Sequence, residues 1–231
     1  MMWVGDVAFV VAARKLQLGS QVTVAYFDIF RPLHDRRESM RRWDFECRCK
    51  RCELEQSLDD ALAVICKHLK SSTHMNDMNK HMWQKSNHMD LVEIAELVQE
   101  VLSKEGGLSS LERSWIRASF VQAYMADKTR ISVAPENPLH KNRITHLELA
   151  LQSAEAVCRG HIQTLEIAAT LWQRETTALG SRSFLVRAIY DKALNCCRCV
   201  FGRQSPEVLH KLLKDAAASA FHPEIEFLGR N

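Results

Sequence analysis

The residues best suited to chemistry are three cysteines, Cys47, Cys49 and Cys52, which form a Cys-x-Cys-x-x-Cys pattern. Zinc is commonly held by four ligands, and short cysteine spacings bring thiolates from one loop to a single ion. The basic residues between the cysteines favour the thiolate form that a metal requires. The pattern predicts a zinc site that lacks a fourth ligand at matching spacing, and the alternative is three unrelated thiols.

The cysteines are expected to lie in a reducing compartment, since the sequence shows neither a membrane span nor a secretory signal. The chain has 8 cysteines, and its longest apolar run, Val7 to Ala13, is too short to span a bilayer. Positive charges follow this run rather than precede it, unlike a secretory signal. We therefore expect an intracellular protein of the nucleus or cytoplasm without a membrane partner. The net charge of +3 over 231 residues is close to balance and does not by itself require a nucleic-acid partner, so direct nucleic-acid binding is not predicted.

The first fifty residues differ from the rest in their pattern. Val7 to Ala13 and Gln21 to Phe27 are typical of short strands, and Leu18-Gly19-Ser20 between them predicts a turn. Asp35 to Arg42 suits a short exposed helix. Its arginines (Arg36, Arg37, Arg41 and Arg42) are expected to form a solvated basic face, with contact to an acidic partner as the alternative.

From Ser57 onward the apolar residues recur at helical spacing, and only 8 Gly and 5 Pro occur in the chain. The predicted elements are a helix on Leu58, Leu62, Ile65 and Leu69, a loop over Ser71 to Asn87, helices over Asp90 to Lys104 and from Ser109 to about Met125, a connector over Lys128 to Arg143, and helices over Leu147 to Cys158, His161 to Trp172, Phe184 to Cys199 and Pro206 to Ala220. This predicts a mainly α fold, with a short β segment and a zinc loop before a helical, TPR-like domain. We expect Cys196 and Cys199 to be core residues of their helix, and only secondarily a metal or redox pair.

The order of motifs in the first part of the chain resembles the C-terminal end of a SET domain and its post-SET zinc loop. The similarity covers about residues 7 to 53 and consists of Ala-x-Arg-x-x-x-x-Gly-x-x-Val-Thr-Val-x-Tyr-x-Asp, Pro-Leu, an Arg-rich helix, an aromatic residue and the three cysteines. The closest branch is the SET-and-MYND type of protein-lysine methyltransferase, together with plant proteins that combine SET with helical repeats. The domains implied are residues 1–56 and 57–231.

The resemblance implies roles for individual residues. Tyr26 matches the catalytic tyrosine that closes the lysine channel and orients the target amine against the methyl donor, S-adenosylmethionine. The resemblance therefore also places Tyr26 among the cofactor-binding residues. Phe45 matches the aromatic residue that packs on the adenine of this cofactor. Cys47, Cys49 and Cys52 match the zinc ligands of the post-SET loop.

The sequence also departs from the SET pattern. The Asn-His-Ser-Cys segment, which contacts the cofactor and supplies a fourth zinc ligand, does not occur in it. The resemblance therefore implies a C-terminal fragment of a lysine methyltransferase, inactive alone, that acts on a lysine of a histone or another protein. The alternative is a non-enzymatic interaction module, in which the helical domain binds a protein partner.

Overall fold

The computed structural model describes residues 2–4, 7–9, 16–19, 27–78, 91–125 and 138–221. Within them the protein is mainly helical, as predicted. The helices are α1 (Leu33–Arg41), α2 (Lys50–Ser57), α3 (Asp59–Met78), α4 (Leu91–Lys104), α5 (Ser110–Ala118), α6 (Val121–Met125), α7 (Pro138–Cys158), α8 (Ile162–Leu179), α9 (Phe184–Phe201) and α10 (Pro206–Phe221). None of the described helices is long and apolar enough to cross a membrane.

The chain divides into two compact units. One unit comprises residues 23–131 and contains α1 to α6, whereas the other comprises residues 1–22 and 132–231 and contains α7 to α10. The expected domain boundary after residue 56 falls inside α2, just before its last residue, Ser57. Helices α2 and α3 pack together within the first of these units. The division into domains at that residue stays a prediction.

In the unit of residues 23–131, α3 packs on α4, α4 packs on α6, and α2 contacts α1, α3 and α5. The predicted apolar stripe of α3 is buried, and Ile94, Ala95 and Val98 of α4 are inaccessible to solvent. The start of α5 is also as predicted. The Ser109 hydroxyl accepts from the amide of Glu112, and the Glu112 carboxylate accepts from the amide of Ser109. This capping box satisfies two amides that the helix itself leaves without partners.

In the unit of residues 1–22 and 132–231, α8 packs against α7, α9 and α10. Helix α8 is buried on nearly all sides, as shown by the buried side chains of Leu165, Ile167, Ala168, Ala169 and Leu171. Such all-round burial is typical of a central helix. The neighbouring helices α9 and α10 are joined at their surface by Tyr190, whose hydroxyl lies 2.9 Å from Nδ1 of His210. The predicted helical, TPR-like repeat stays a prediction.

Four expectations about helix bounds are wrong. The helix predicted to end at Trp172 continues to Leu179 and is followed by Gly180. Residues 71–78 continue α3 instead of forming a loop, because the segment contains no Gly or Pro to stop the helix. Residues 138–143 belong to α7 instead of a connector, since Pro138 occupies the first helical position, where a missing N–H costs nothing. The helix after Ser109 breaks after Ala118, where the amides of Ser119 and Phe120 bond the carbonyls three residues earlier.

A short antiparallel hairpin pairs Met2–Val4 with Val7–Phe9. Leu18 and Gly19 lie in a turn as predicted, and Gly19 has φ +83°, a conformation that glycine adopts without strain. Residues 21–26 of the second predicted strand lie outside the described residues, and Phe27 lies in a bend. The hairpin does not show the β segment of a SET domain, which stays a prediction.

Candidate metal centre

A tight turn connects the end of α1 to the segment that contains the three cysteines. The amide of Phe45 bonds the Met40 carbonyl, and the amide of Asp44 bonds the Arg41 carbonyl. Asp44 has φ +49°, in the left-handed region that Asp tolerates better than most residues. Together these features form a Schellman-type helix end, which reverses the chain just before the first cysteine.

The three cysteines occupy three kinds of position. Cys47 is half-buried in the loop, exposed Cys49 is the N-cap residue of α2, and Cys52 is buried in the first turn of that helix. Their sulfur atoms all lie within 4.8 Å of one another. In a tetrahedral zinc site with Zn–S bonds of about 2.3 Å, the sulfurs are about 3.8 Å apart. The distances between the sulfur atoms therefore need to shorten by no more than about 1 Å for the thiols to hold zinc.

The thiols have different proton affinities. Burial raises the pKa of Cys49, but hydrogen bonding from the amide of Cys52 and from the neighbouring thiols outweighs it, so this pKa lies below its usual value. Burial, with a smaller contribution from Cys49, raises the pKa of Cys52 to about 12 despite the nearby Arg36 guanidinium. A metal bound by all three thiolates would have to displace the proton of Cys52.

A buried ionic network supports the cysteine cluster. Arg36 Nη2 and Arg51 Nε donate to the same carboxylate oxygen of Glu55, at 2.5 and 2.8 Å. Arg51 also donates to the Ile29 carbonyl and to the Ser119 hydroxyl, both at 2.8 Å. The network joins α1 and α2 to the end of α5.

Arg36 corrects the expectation of a solvated basic face. It is 4% exposed, and its Nη1 donates to the sulfur of Cys52 at 3.3 Å. Arg37 is half-buried and bonds Gln56, whereas Arg41 and Arg42 are exposed as expected. Helical spacing could have found this difference, because Arg36 shares a face of α1 with the buried residues Leu33 and Met40.

The other residues implied by the resemblance are only partly described. Phe45 lies two residues before the cluster, and its side chain is 55% exposed. Tyr26 lies outside the described residues. Within the part of the chain that is described, no further cysteine, histidine or carboxylate joins the three thiols as a close group, so a fourth ligand is not identified there.

Two other groups of ionisable residues are weaker candidates. His34, Asp35 and Glu38 lie close together on α1, but exposed side chains of this kind are common without a metal. Cys196 is fully buried and Cys199 half-buried, in agreement with the expected core position. Burial, followed by the nearby Glu155, raises the pKa of Cys196 to about 12, which keeps it an unreactive thiol.

A cavity of about 290 Å³ lies beside the buried network, with Glu55, Leu62 and Phe120 in its wall. This volume is at the lower limit of sites that enclose small ligands.

Comparison of the chain with protein-family models finds no match, and searches of curated proteins and of solved structures find no similar protein either.

Proposed function

We propose that the chain binds one zinc ion through Cys47, Cys49 and Cys52, and that it is the C-terminal part of a SET-type protein-lysine N-methyltransferase. The observation that carries the proposal is the convergence of the three sulfur atoms within 4.8 Å. The order of sequence motifs before the cluster supports the methyltransferase assignment.

The proposed roles follow the resemblance and the chemistry of the side chains. S-adenosylmethionine supplies an activated methyl group when it is bound. Tyr26 orients the target lysine amine, and Phe45 packs on the adenine ring. The exposure of Phe45 supports this role, because covering an exposed aromatic ring is favourable and a metal-pinned loop would hold it in place.

The chain does not contain the Asn-His-x-Cys segment of the resemblance. In our proposal the remaining cofactor contacts and the fourth zinc ligand come from outside this sequence, and the chain alone turns over no substrate. The substrate is a lysine of a histone or another protein inside the cell, and the helical region after residue 57 contacts a protein partner.

The zinc site is tested on the 231-residue chain by elemental analysis and by the absorption of its cobalt(II) form. We expect about one zinc per chain and a thiolate-to-cobalt charge-transfer band, because zinc and cobalt favour similar thiolate sites. Cys49→Ser and Cys52→Ser should each lose the ion or weaken its binding strongly, whereas Cys199→Ser should keep it as the matched control. A chain without bound zinc and without the cobalt band would refute the site.

The catalytic assignment requires a longer protein that includes a cofactor-binding segment. There Tyr26→Phe should lower methyl transfer to a lysine peptide by about 100-fold or more, the scale of a lost orienting or proton-handling group. Tyr190→Phe, at a helix surface of the other unit, should retain activity. Unchanged turnover in the Tyr26 variant would contradict the proposed role.

The second candidate function is a helical interaction module without enzymatic activity. The missing Asn-His-x-Cys segment favours it over catalysis by this chain alone. The two functions differ in binding of S-adenosylmethionine, which calorimetry on the longer protein measures directly. Cofactor binding there supports the methyltransferase, and its absence supports the interaction module.

A further inference from the structure

The charges of the buried network do not balance among its own members. Arg36 and Arg51 carry two positive charges, and Glu55 carries one negative charge. All three side chains are at least nine-tenths buried. A net buried charge of +1 is costly unless an anion lies beside it.

Each nitrogen of the Arg36 guanidinium has a separate acceptor. Nε donates to the Arg31 carbonyl at 2.9 Å, Nη2 to Glu55 at 2.5 Å, and Nη1 to the Cys52 sulfur at 3.3 Å. Because the guanidinium is planar and rigid, these contacts fix the direction from which it meets the sulfur. The Cys52 sulfur is thus the acceptor that connects the network to the cysteine cluster.

In the 231-residue chain, a zinc ion bound by three thiolates and a neutral water would carry a net charge of −1, which is the charge that the network lacks. We propose that Arg36 is a positioning residue for the metal centre: it holds the Cys52 sulfur in place and neutralises the charge of the zinc–thiolate group. This inference rests on the proposed zinc site.

The same contacts connect the metal centre to the rest of its unit. Glu55 bonds both arginines, and Arg51 continues to Ile29 and to Ser119 at the end of α5. Metal binding should therefore slow hydrogen exchange not only in the cysteine loop but also in residues 116–124. A site supported only by its own loop would leave those amides unchanged.

The test compares zinc affinities of the full chain and its variants by competition with a chromophoric chelator. Partners that orient metal ligands change metal affinity by about 10- to 100-fold. We expect a loss of this size for Arg36→Met and for Arg36→Lys, since lysine keeps the charge but cannot reach three acceptors. Arg37→Met is the matched control, because it removes a neighbouring bond between α1 and α2 without touching the sulfur. We expect it to bind zinc within about twofold of the unaltered chain, as a change away from the metal ligands.

A second readout separates positioning from general loss of stability. In the cobalt form, Arg36→Lys should shift the energy of the thiolate-to-cobalt band, which reports on the electronic state of the sulfur, whereas Arg37→Met should not. If Arg36→Met does not fold, the lysine variant carries both measurements.

The outcomes distinguish this inference from the zinc site itself. If the unaltered chain binds no zinc, the proposed function fails. If it binds zinc and both Arg36 variants match Arg37→Met in affinity and spectrum, the zinc site stands and the role of Arg36 is refuted. Full affinity and an unshifted band in Arg36→Lys alone would also overturn the positioning role.

Discussion

Replacing Glu55 with glutamine should strongly destabilise the unit of residues 23–131. The substitution keeps the size of the side chain but removes the only negative charge among the residues of the buried network. The side chains of Glu55, Arg36 and Arg51 are 2%, 5% and 9% exposed, so bulk solvent does little to compensate their charges.

The expected magnitude follows from this burial. Removing one partner of a buried ion pair costs about 3–5 kcal/mol, because the remaining charge is left without compensation. Both arginines use the same carboxylate oxygen, so a single substitution affects two pairs. An isolated pair at the surface would contribute about 0–1 kcal/mol. The losses of stability expected for a buried network and for a surface pair are far enough apart to be separated by experiment.

The assay is urea denaturation in the presence of a chelator, so that metal binding does not contribute. Hydrogen exchange followed by peptide mass spectrometry assigns the loss of stability to a region. We expect faster exchange in residues 33–57 and 110–119 and unchanged exchange in residues 162–218. Glu100→Gln is the matched control, since it breaks an ion pair with Lys104 at the exposed surface of α4 in the same unit. It should be indistinguishable from the unaltered chain.

A Glu55→Gln variant within about 1 kcal/mol of the unaltered chain would refute the reasoning, because that is the range of a surface pair. It would mean that α1 is held to α2 by apolar packing rather than by the ionic network. Equal acceleration of exchange in residues 162–218 would also contradict the prediction, because the network lies within the other unit.

Two further predictions concern other parts of the fold. Ser109→Ala should destabilise the unit of residues 23–131 by about 1 kcal/mol through loss of the capping box, measured by urea denaturation, with Ser103→Ala as a control that should be nearly neutral; equal losses in the two variants would contradict it. Burial, followed by repulsion from Glu148, raises the pKa of Glu175. The folded state therefore favours the protonated carboxyl. The contribution of Glu175 to the free energy of unfolding is fully present below the pKa that it has in the unfolded chain, and it is lost as the pH rises through its pKa in the folded chain. Glu175→Gln should consequently have a higher melting temperature than the unaltered chain at pH 7, and the difference should shrink towards pH 4; a lower melting temperature at pH 7 would refute the argument.

Helices with a strong apolar period were predictable from the sequence. The bounds of α4, α9 and α10 differ from the predicted ones by two residues or fewer, and the capping box of α5 has the predicted partners. The apolar period dominates in these helices because their core contacts repeat every three to four residues. Helix α2 was not predicted as a separate element, since its eight residues carry no such period.

The local part of the metal site was predictable from the sequence, but its long-range contacts were not. The spacing of Cys47, Cys49 and Cys52 was sufficient to predict that their thiols come together, because the geometry is local. The network around them depends on contacts between residues 16 and 19 positions apart in the chain. A charged residue such as Arg36 is usually exposed. Helical spacing places it on the buried face of α1, but the spacing does not reveal Cys52 and Glu55, the partners on another helix that compensate its charge. The roles of Tyr26 and Phe45 in cofactor binding stay predictions.

The locality of the cysteine cluster also affects how strongly a metal can stabilise the protein. All three thiols lie within six residues, so an unfolded chain can bring them to an ion at little cost in loop-closure entropy. A ligand stabilises the folded state only to the extent that it binds that state more tightly than the unfolded one. Zinc would therefore raise the stability of this protein by less than its affinity alone suggests. The gain in stability would come from the interactions that make the folded chain bind zinc more tightly than the unfolded chain does, above all the contact of Arg36 with Cys52.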